Sequence, residues 1–248
     1  TTNTGGSLSL ISGFSTASTS GSIIIRTLNA GTAGVSGELV FSTGTTSSGA
    51  SGSISIGTGT TAGPGKSGHI HVHIGDTNDN DGGEILLEAG STSGNKNGGL
   101  FKIQAGSSTG TTNGIGGQLN LYSGHAKKNT GGSLSIIAGY STDTTSGSII
   151  IRTLNAGTKG VSGELMFSTG TTSCGASGDI SIGTGTASLG DGGDISIVVG
   201  DGNVLDGGHI YMYAGKSNAP ESAGDVDADA TGGSISLISG FGTKSTSG

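Results

Sequence analysis

A glycine followed by large apolar residues two and four places later is a unit that recurs along the whole 248-residue chain. In one example, Gly21 precedes Ile23 and Ile25. We call the first residue of each unit its unit glycine and number positions from it, so that Ile23 is at position 2. The unit glycines are Gly6, Gly21, Gly37, Gly52, Gly68, Gly83, Gly99, Gly117, Gly132, Gly147, Gly163, Gly178, Gly193, Gly208 and Gly233. Most spacings are fifteen or sixteen residues, a period typical of solenoids with short turns.

The alternation of apolar and polar residues within each unit predicts a strand with one covered face, and no apolar residues are spaced as in a helix. One unit is too short to bury its own apolar pair. We therefore expect the units to stack at about 4.8 Å per turn, with backbone hydrogen bonds between successive turns. The sequence predicts an all-β fold over residues 1–248, a single continuous parallel β-solenoid of about fifteen turns, with 15–16 residues per turn and uncapped ends.

Composition limits the other classes of protein. The chain has 54 Gly, only 2 Pro and a net charge of -7, and its glycines do not fall at every third position, which excludes collagen. The single cysteine, Cys174, cannot form an internal disulfide. Because no apolar run is long enough for a membrane span and no basic cluster occurs, we predict no membrane insertion and no nucleic-acid partner. The first residues, TTNTGG, lack an initiator Met or signal peptide, and we expect a mature or internal portion of a longer product.

The chain also contains a longer repeat that spans several units. Residues 21–44 read GSIIIRTLNAGTAGVSGELVFSTG, and residues 147–170 repeat them with two substitutions. We predict a first long copy at 6–131, a second, shortened copy at 132–232 with a protruding loop near 217–231, and the start of a third at 233–248. The predicted open ends would accept another turn, from the same polypeptide or from another subunit.

Two sets of side chains are candidate metal ligands. Alternating carboxylates in the inserted loop could bind calcium, although the loop lacks the glycine and closing Glu of an EF-hand: Asp225, Asp227 and Asp229. Alternating imidazoles on one strand, one turn from Glu84 and Glu88, could bind a transition metal: His69, His71 and His73. A turn with Asp76, Asp79 and Asp81 is a weaker calcium candidate. The alternative for each set is a solvated polar surface.

Outward positions carry candidate contact residues. Apolar or aromatic side chains at these positions are expected to make lateral contacts with neighbouring molecules: Ile24, Val40, Ile150, Met166, Tyr211 and Tyr213. His209 belongs to the same outward row as the two tyrosines. Arg26 and Arg152 are expected to pair with Glu38 and Glu164 on the following turn, with little net stabilisation.

In its Gly-x-Φ-x-Φ-x-x-Gly units, where Φ is a large apolar residue, the whole chain resembles the parallel β-solenoid repeats of extracellular adhesins and fibres. The resemblance implies a mechanical role in an extracellular or cell-surface filament, sheath or stalk that assembles from copies of itself, end to end and laterally. The residues themselves show no concentrated active site, so we predict no enzyme activity, and no cofactor other than calcium in the inserted loop.

Two alternatives come from other classes of protein. A surface-binding solenoid would bind glycans or ice, and paired threonines resemble an ice-binding ladder: Thr43 and Thr45, Thr58 and Thr60, Thr169 and Thr171, and Thr184 and Thr186. A polysaccharide-active β-helix enzyme would need clustered carboxylates in a groove, and the sequence shows no such cluster.

Overall fold

The computed structural model describes residues 5–110, 113–217 and 231–240. These residues contain no helix and no β-strand, so there are no element bounds to give. The predicted all-β parallel β-solenoid of about fifteen turns is therefore wrong, and the described chain is largely coil. Its regularity lies in where the chain bends and where successive units touch.

Bends separate neighbouring units throughout the described ranges. The chain bends at residues 16–18, 32–34, 47–49 and 63–65, and again between later units, for example at 142–144 and 173–175. Three bend glycines have positive φ: Gly34 at 141°, Gly49 at 117° and Gly175 at 106°. A side chain would strain the backbone there, so glycine is required for conformation at these positions.

The chain divides into two halves, Thr1–Tyr122 and Ser123–Gly248. The boundary falls inside the unit that begins at Gly117. Within each half, every unit meets the next at one place, which we call a junction. The division into long copies at 6–131, 132–232 and 233–248 stays a prediction.

At each junction, the residue at position 6 of one unit lies against the unit glycine of the next. A Cβ atom built on Gly37 would lie 3.3 Å from the Cβ of Thr27, and one built on Gly163 would lie 3.2 Å from Cγ2 of Thr153. The full set is Ser12–Gly21, Thr27–Gly37, Thr43–Gly52, Thr58–Gly68, Ile74–Gly83, Ala89–Gly99, Ala105–Gly117, Ser123–Gly132, Ala138–Gly147, Thr153–Gly163, Thr169–Gly178, Thr184–Gly193, Val199–Gly208 and Ala214–Gly233. At most unit glycines the preceding unit therefore occupies space that a side chain would need, whereas Gly178 has room for a Cβ atom.

This register explains why the solenoid prediction fails. In a solenoid, equivalent positions of successive units lie side by side and exchange several backbone hydrogen bonds. Here position 6 faces the next unit glycine across a bend, and positions 1 to 5 of the described units form no backbone–backbone hydrogen bond. The described residues form only eight backbone–backbone hydrogen bonds, whereas folded proteins form about one internal hydrogen bond per residue.

Junctions are of two kinds, and the residue at position 6 separates them. Where position 6 is Ala or Ser, the unit glycine N–H donates to the carbonyl of the glycine at position 7 over 2.8 Å, as in Gly99 to Gly90 and Gly147 to Gly139. Where position 6 is Thr, Ile or Val, no backbone bond forms among the described residues. The branched side chain occupies the space above the glycine and keeps the two backbones apart.

Three threonines replace the missing backbone bond with a side-chain bond. Thr27, Thr43 and Thr184 each donate from Oγ1 to the carbonyl of the following unit glycine, over 3.0, 3.2 and 3.1 Å respectively. The two kinds of junction occur in blocks. Four consecutive branched junctions begin at Thr27, four small ones at Ala89, and four branched ones at Thr153.

The apolar side chains at positions 2 and 4 of each unit are not covered by other parts of the described chain. From the Gly21 unit onward, the residue at position 2 keeps 48–60% of its surface exposed. No described residue is buried, so the described part of the chain has no core.

Candidate interaction surface

The outward apolar residues are at least as exposed as the residues beside them. Ile24 is 78% exposed between Ile23 at 48% and Ile25 at 53%, and Ile150 is 76% exposed in the equivalent place. Val40 and Met166 are 64% and 69% exposed. The structure thus leaves these four side chains accessible, and their role in lateral contacts stays a prediction.

Arg26 and Glu38 flank the junction between Thr27 and Gly37. Arg26 precedes the threonine and Glu38 follows the glycine, so the backbones that carry the two charges come together at this junction. Both side chains are exposed. The expected ion pair is nevertheless not formed, because no nitrogen–oxygen pair lies within 4.0 Å between charged groups of the described residues.

The second long copy repeats this arrangement. Arg152 and Glu164 flank the junction between Thr153 and Gly163, and both are exposed. Their expected ion pair is likewise absent from the described part of the chain. Each half of the chain therefore presents one exposed Arg and one exposed Glu beside two exposed apolar side chains.

Three aromatic rings of the Gly208 unit lie close together. The ring centroids of His209 and Tyr211 are 5.5 Å apart, and those of Tyr211 and Tyr213 are 6.1 Å apart with the rings within 15° of parallel. Tyr211 and Tyr213 are 69% and 84% exposed. Three neighbouring rings are thus accessible from solvent.

The histidine row is also ordered by ring stacking. The rings of His71 and His73 are 4.7 Å apart and within 14° of parallel. In residues 5–110, 113–217 and 231–240, no group of three or more His, Cys, Asp or Glu side chains could hold a metal ion. His69, His71 and His73 therefore do not converge on a metal position, and they remain an exposed polar row.

The calcium candidates differ in what the structure describes. Asp225, Asp227 and Asp229, with the predicted protruding loop that carries them, lie outside the described residues. In the weaker candidate, Asp76 lines a depression of about 670 Å³ together with Asn78 and Asn80.

The threonine pairs have a structural role that the ice-binding comparison did not anticipate. The first member of each pair is the position-6 residue of a junction: Thr43, Thr58, Thr169 and Thr184. The hydroxyl groups of Thr43 and Thr184 donate to glycine carbonyls within the chain. These two hydroxyls are therefore already engaged and do not form a free flat row.

The position-6 residues were not identified from the sequence as contact residues. Their signal was present, because position 6 has the same parity as the apolar positions 2 and 4 and alternates between small and branched residues in blocks.

Cys174 lies in a bend and is exposed. Among the described residues, no helix is long and apolar enough to cross a membrane.

The sequence matches no protein-family model, and searches of curated proteins and of solved structures find no similar chain.

Proposed function

We propose that this chain is a structural protein that associates with other copies of itself, as expected for a segment of a filament, sheath or stalk. The observation that carries the proposal is the absence of any buried residue in the described ranges, although each unit carries a regularly placed apolar pair. The β-solenoid form of assembly is not part of it. The extracellular location rests on the resemblance and stays a prediction.

The first supporting argument is energetic. Ordering one residue costs about 1–2 kcal/mol of backbone entropy, and burial of apolar surface is the main term that offsets this cost. A chain with no buried residue lacks that offset. Association would supply it, because the half-exposed side chains at position 2 of successive units would be covered by another molecule.

The second supporting argument concerns the backbone. Positions 1 to 5 of the described units take part in no backbone–backbone hydrogen bond. Their N–H and C=O groups can therefore bond with another molecule, as at an exposed sheet edge. Apolar side chains and free backbone groups occur in the same short runs of chain. One contact with another molecule would therefore cover the apolar side chains and pair the backbone groups.

A matched pair of leucine variants tests the proposal. Leu119 is at position 2 and is 55% exposed, whereas Leu189 lies in a bend and is 103% exposed. Covering the exposed half of Leu119 would contribute about 1 kcal/mol. Leu119→Ser should therefore weaken association about fivefold in sedimentation experiments. Leu189→Ser removes the same side chain from a bend and should leave association unchanged; equal effects of the two variants would contradict the proposal.

The aromatic row favours glycan binding as a second candidate function. Exposed aromatic rings present an apolar face and a polar edge, which suits contact with the face and hydroxyl groups of a sugar. Co-sedimentation with insoluble polysaccharides should then be lost in the Tyr211→Ala variant. Retention equal to that of the unaltered chain, or no retention of either, would contradict this candidate.

A further inference from the structure

The two near-identical segments carry a self-complementary surface. Residues 21–44 and 147–170 are identical at 22 of 24 positions, and they keep the same outward Arg and Glu. Some other outward positions differ between the long copies. For example, the Gly68 unit carries His71 where the Gly193 unit carries Ser196, whereas Ser7, Ser9 and Ile11 of the Gly6 unit recur as Ser133, Ser135 and Ile137. The chain thus repeats some outward surfaces, this charged one among them, and varies others.

Each repeated surface combines opposite charges with apolar side chains. In the first, Arg26 and Glu38 lie on either side of one junction, with Ile24 and Val40 each two residues away from one of them along the chain. All four are exposed, and within the described residues neither charge has an oppositely charged partner inside 4.0 Å. We call this set the first patch. The equivalent set, the second patch, consists of Arg152, Glu164, Ile150 and Met166.

We propose that these patches bind each other between molecules, with the Arg of one patch against the Glu of another and the apolar side chains packed between them. This inference rests on the proposed self-association and adds the two patches to the position-2 side chains as contact surfaces. A surface with one positive and one negative group can pair with its own copy about a two-fold axis, because each charge then meets its opposite. The occupant that the charges fit is a second molecule of this chain.

Two patches in one chain determine the kind of assembly. A molecule with a single self-complementary patch stops at a dimer, because the contact closes on itself. A molecule with two such patches can bind a different neighbour through each one. The chain is therefore divalent, and its association continues into a polymer.

Charge reversal tests the pairing directly. The variant with Arg26→Glu and Arg152→Glu places like charges opposite each other and should associate at least about tenfold more weakly. The variant with Glu38→Arg and Glu164→Arg should be weakened in the same way. Mixed in equal amounts, the two variants again have opposite charges facing each other, so association should return. Sedimentation velocity of each variant and of the mixture is the measurement.

A valency control separates the patches from general charge effects. Arg26→Glu alone leaves the second patch intact, and this variant should form smaller species than the unaltered chain and larger species than the double Arg→Glu variant. Lys102→Glu, a reversal at an exposed residue outside both patches, should polymerise as the unaltered chain does.

The outcomes distinguish this inference from the proposal beneath it. Unchanged polymerisation of the charge-reversed variants, or failure of the mixture to recover, would overturn the patch pairing while self-association stood. An unaltered chain that stays monomeric, as it would if its two patches paired within one molecule, would overturn both.

Discussion

Replacing Gly83 with alanine tests the junctions on which the description of the fold rests. A Cβ atom at Gly83 would lie 2.6 Å from Cγ2 of Ile74, closer than side chains approach in folded proteins. Cγ2 is bonded to the branched Cβ of Ile74, so it can move only if the side chain changes rotamer or the backbone shifts. Overpacking of this kind costs about 1–3 kcal/mol. Because Ile74 is 46% exposed and can partly move away, we expect a cost of about 1 kcal/mol.

Gly178 provides the matched control. A Cβ atom there would lie 3.6 Å from Cγ2 of Thr169, which is ordinary contact, and the backbone does not have positive φ. Gly178→Ala should therefore stabilise the protein by about 0.4–1 kcal/mol, because alanine restricts the unfolded chain. The two variants should differ by about 1.5 kcal/mol, roughly a tenfold difference in the folded-to-unfolded ratio.

The assay is the urea dependence of cleavage by a brief pulse of protease, applied to the unaltered protein and to each variant under associating conditions. Ile74→Ala completes a double-mutant cycle, because it removes the methyl group that Gly83→Ala would strike. The alanine at position 83 should then cost less than in the unaltered chain. Equal stability of Gly83→Ala and Gly178→Ala, or a penalty that Ile74→Ala leaves unchanged, would refute the junction geometry.

Three further predictions follow from the same contacts. Thr184→Val keeps the branched side chain but removes the 3.1 Å hydrogen bond to the Gly193 carbonyl. It should lower stability by about 0.5 kcal/mol in the same urea assay. Thr169→Val is the control and should have no effect, because no such bond forms there. Gly175→Ala should destabilise its bend by about 1 kcal/mol, because φ at Gly175 is 106°. Gly190→Ala should not, because Gly190 lies in a bend with open space around it and without positive φ. Equal protease sensitivity of the two variants would count against the bend geometry. Added salt should weaken association through the Arg–Glu patches, which is measured as a rise in the concentration needed for polymer formation; stronger association in salt would show that apolar contacts alone decide it.

The sequence established the spacing of the units along the chain but not which parts of the chain lie side by side. Glycine at the start of each unit is read directly from the sequence, and the structure shows the physical need for it at places such as Gly37 and Gly163. Alternating residues such as Ile23 and Ile25 indicate which side chains share a side. They do not indicate which run of chain lies beside which, and the solenoid prediction failed on that point.

The contact residues were predictable only in part. Ile24 and Ile150 are exposed, but so is every large apolar side chain of the described residues, so their exposure does not test the alternation. The ring contact of Tyr211 with Tyr213 joins two residues of one short run of chain. The role of position 6 did not, since alternation cannot distinguish a threonine that faces solvent from one that covers a neighbouring glycine. The expected ion pair between Arg26 and Glu38 failed for a related reason, because nearness of two backbones does not fix where long exposed side chains point.

The central claim is that apolar side chains left uncovered within one molecule are covered by another. Sedimentation velocity of the unaltered chain, from nanomolar to high micromolar concentration, tests this claim most directly. The account predicts a monomer at the lowest concentrations and a steady increase in the size of the sedimenting species as concentration rises. A single monomeric species over the whole range would contradict it.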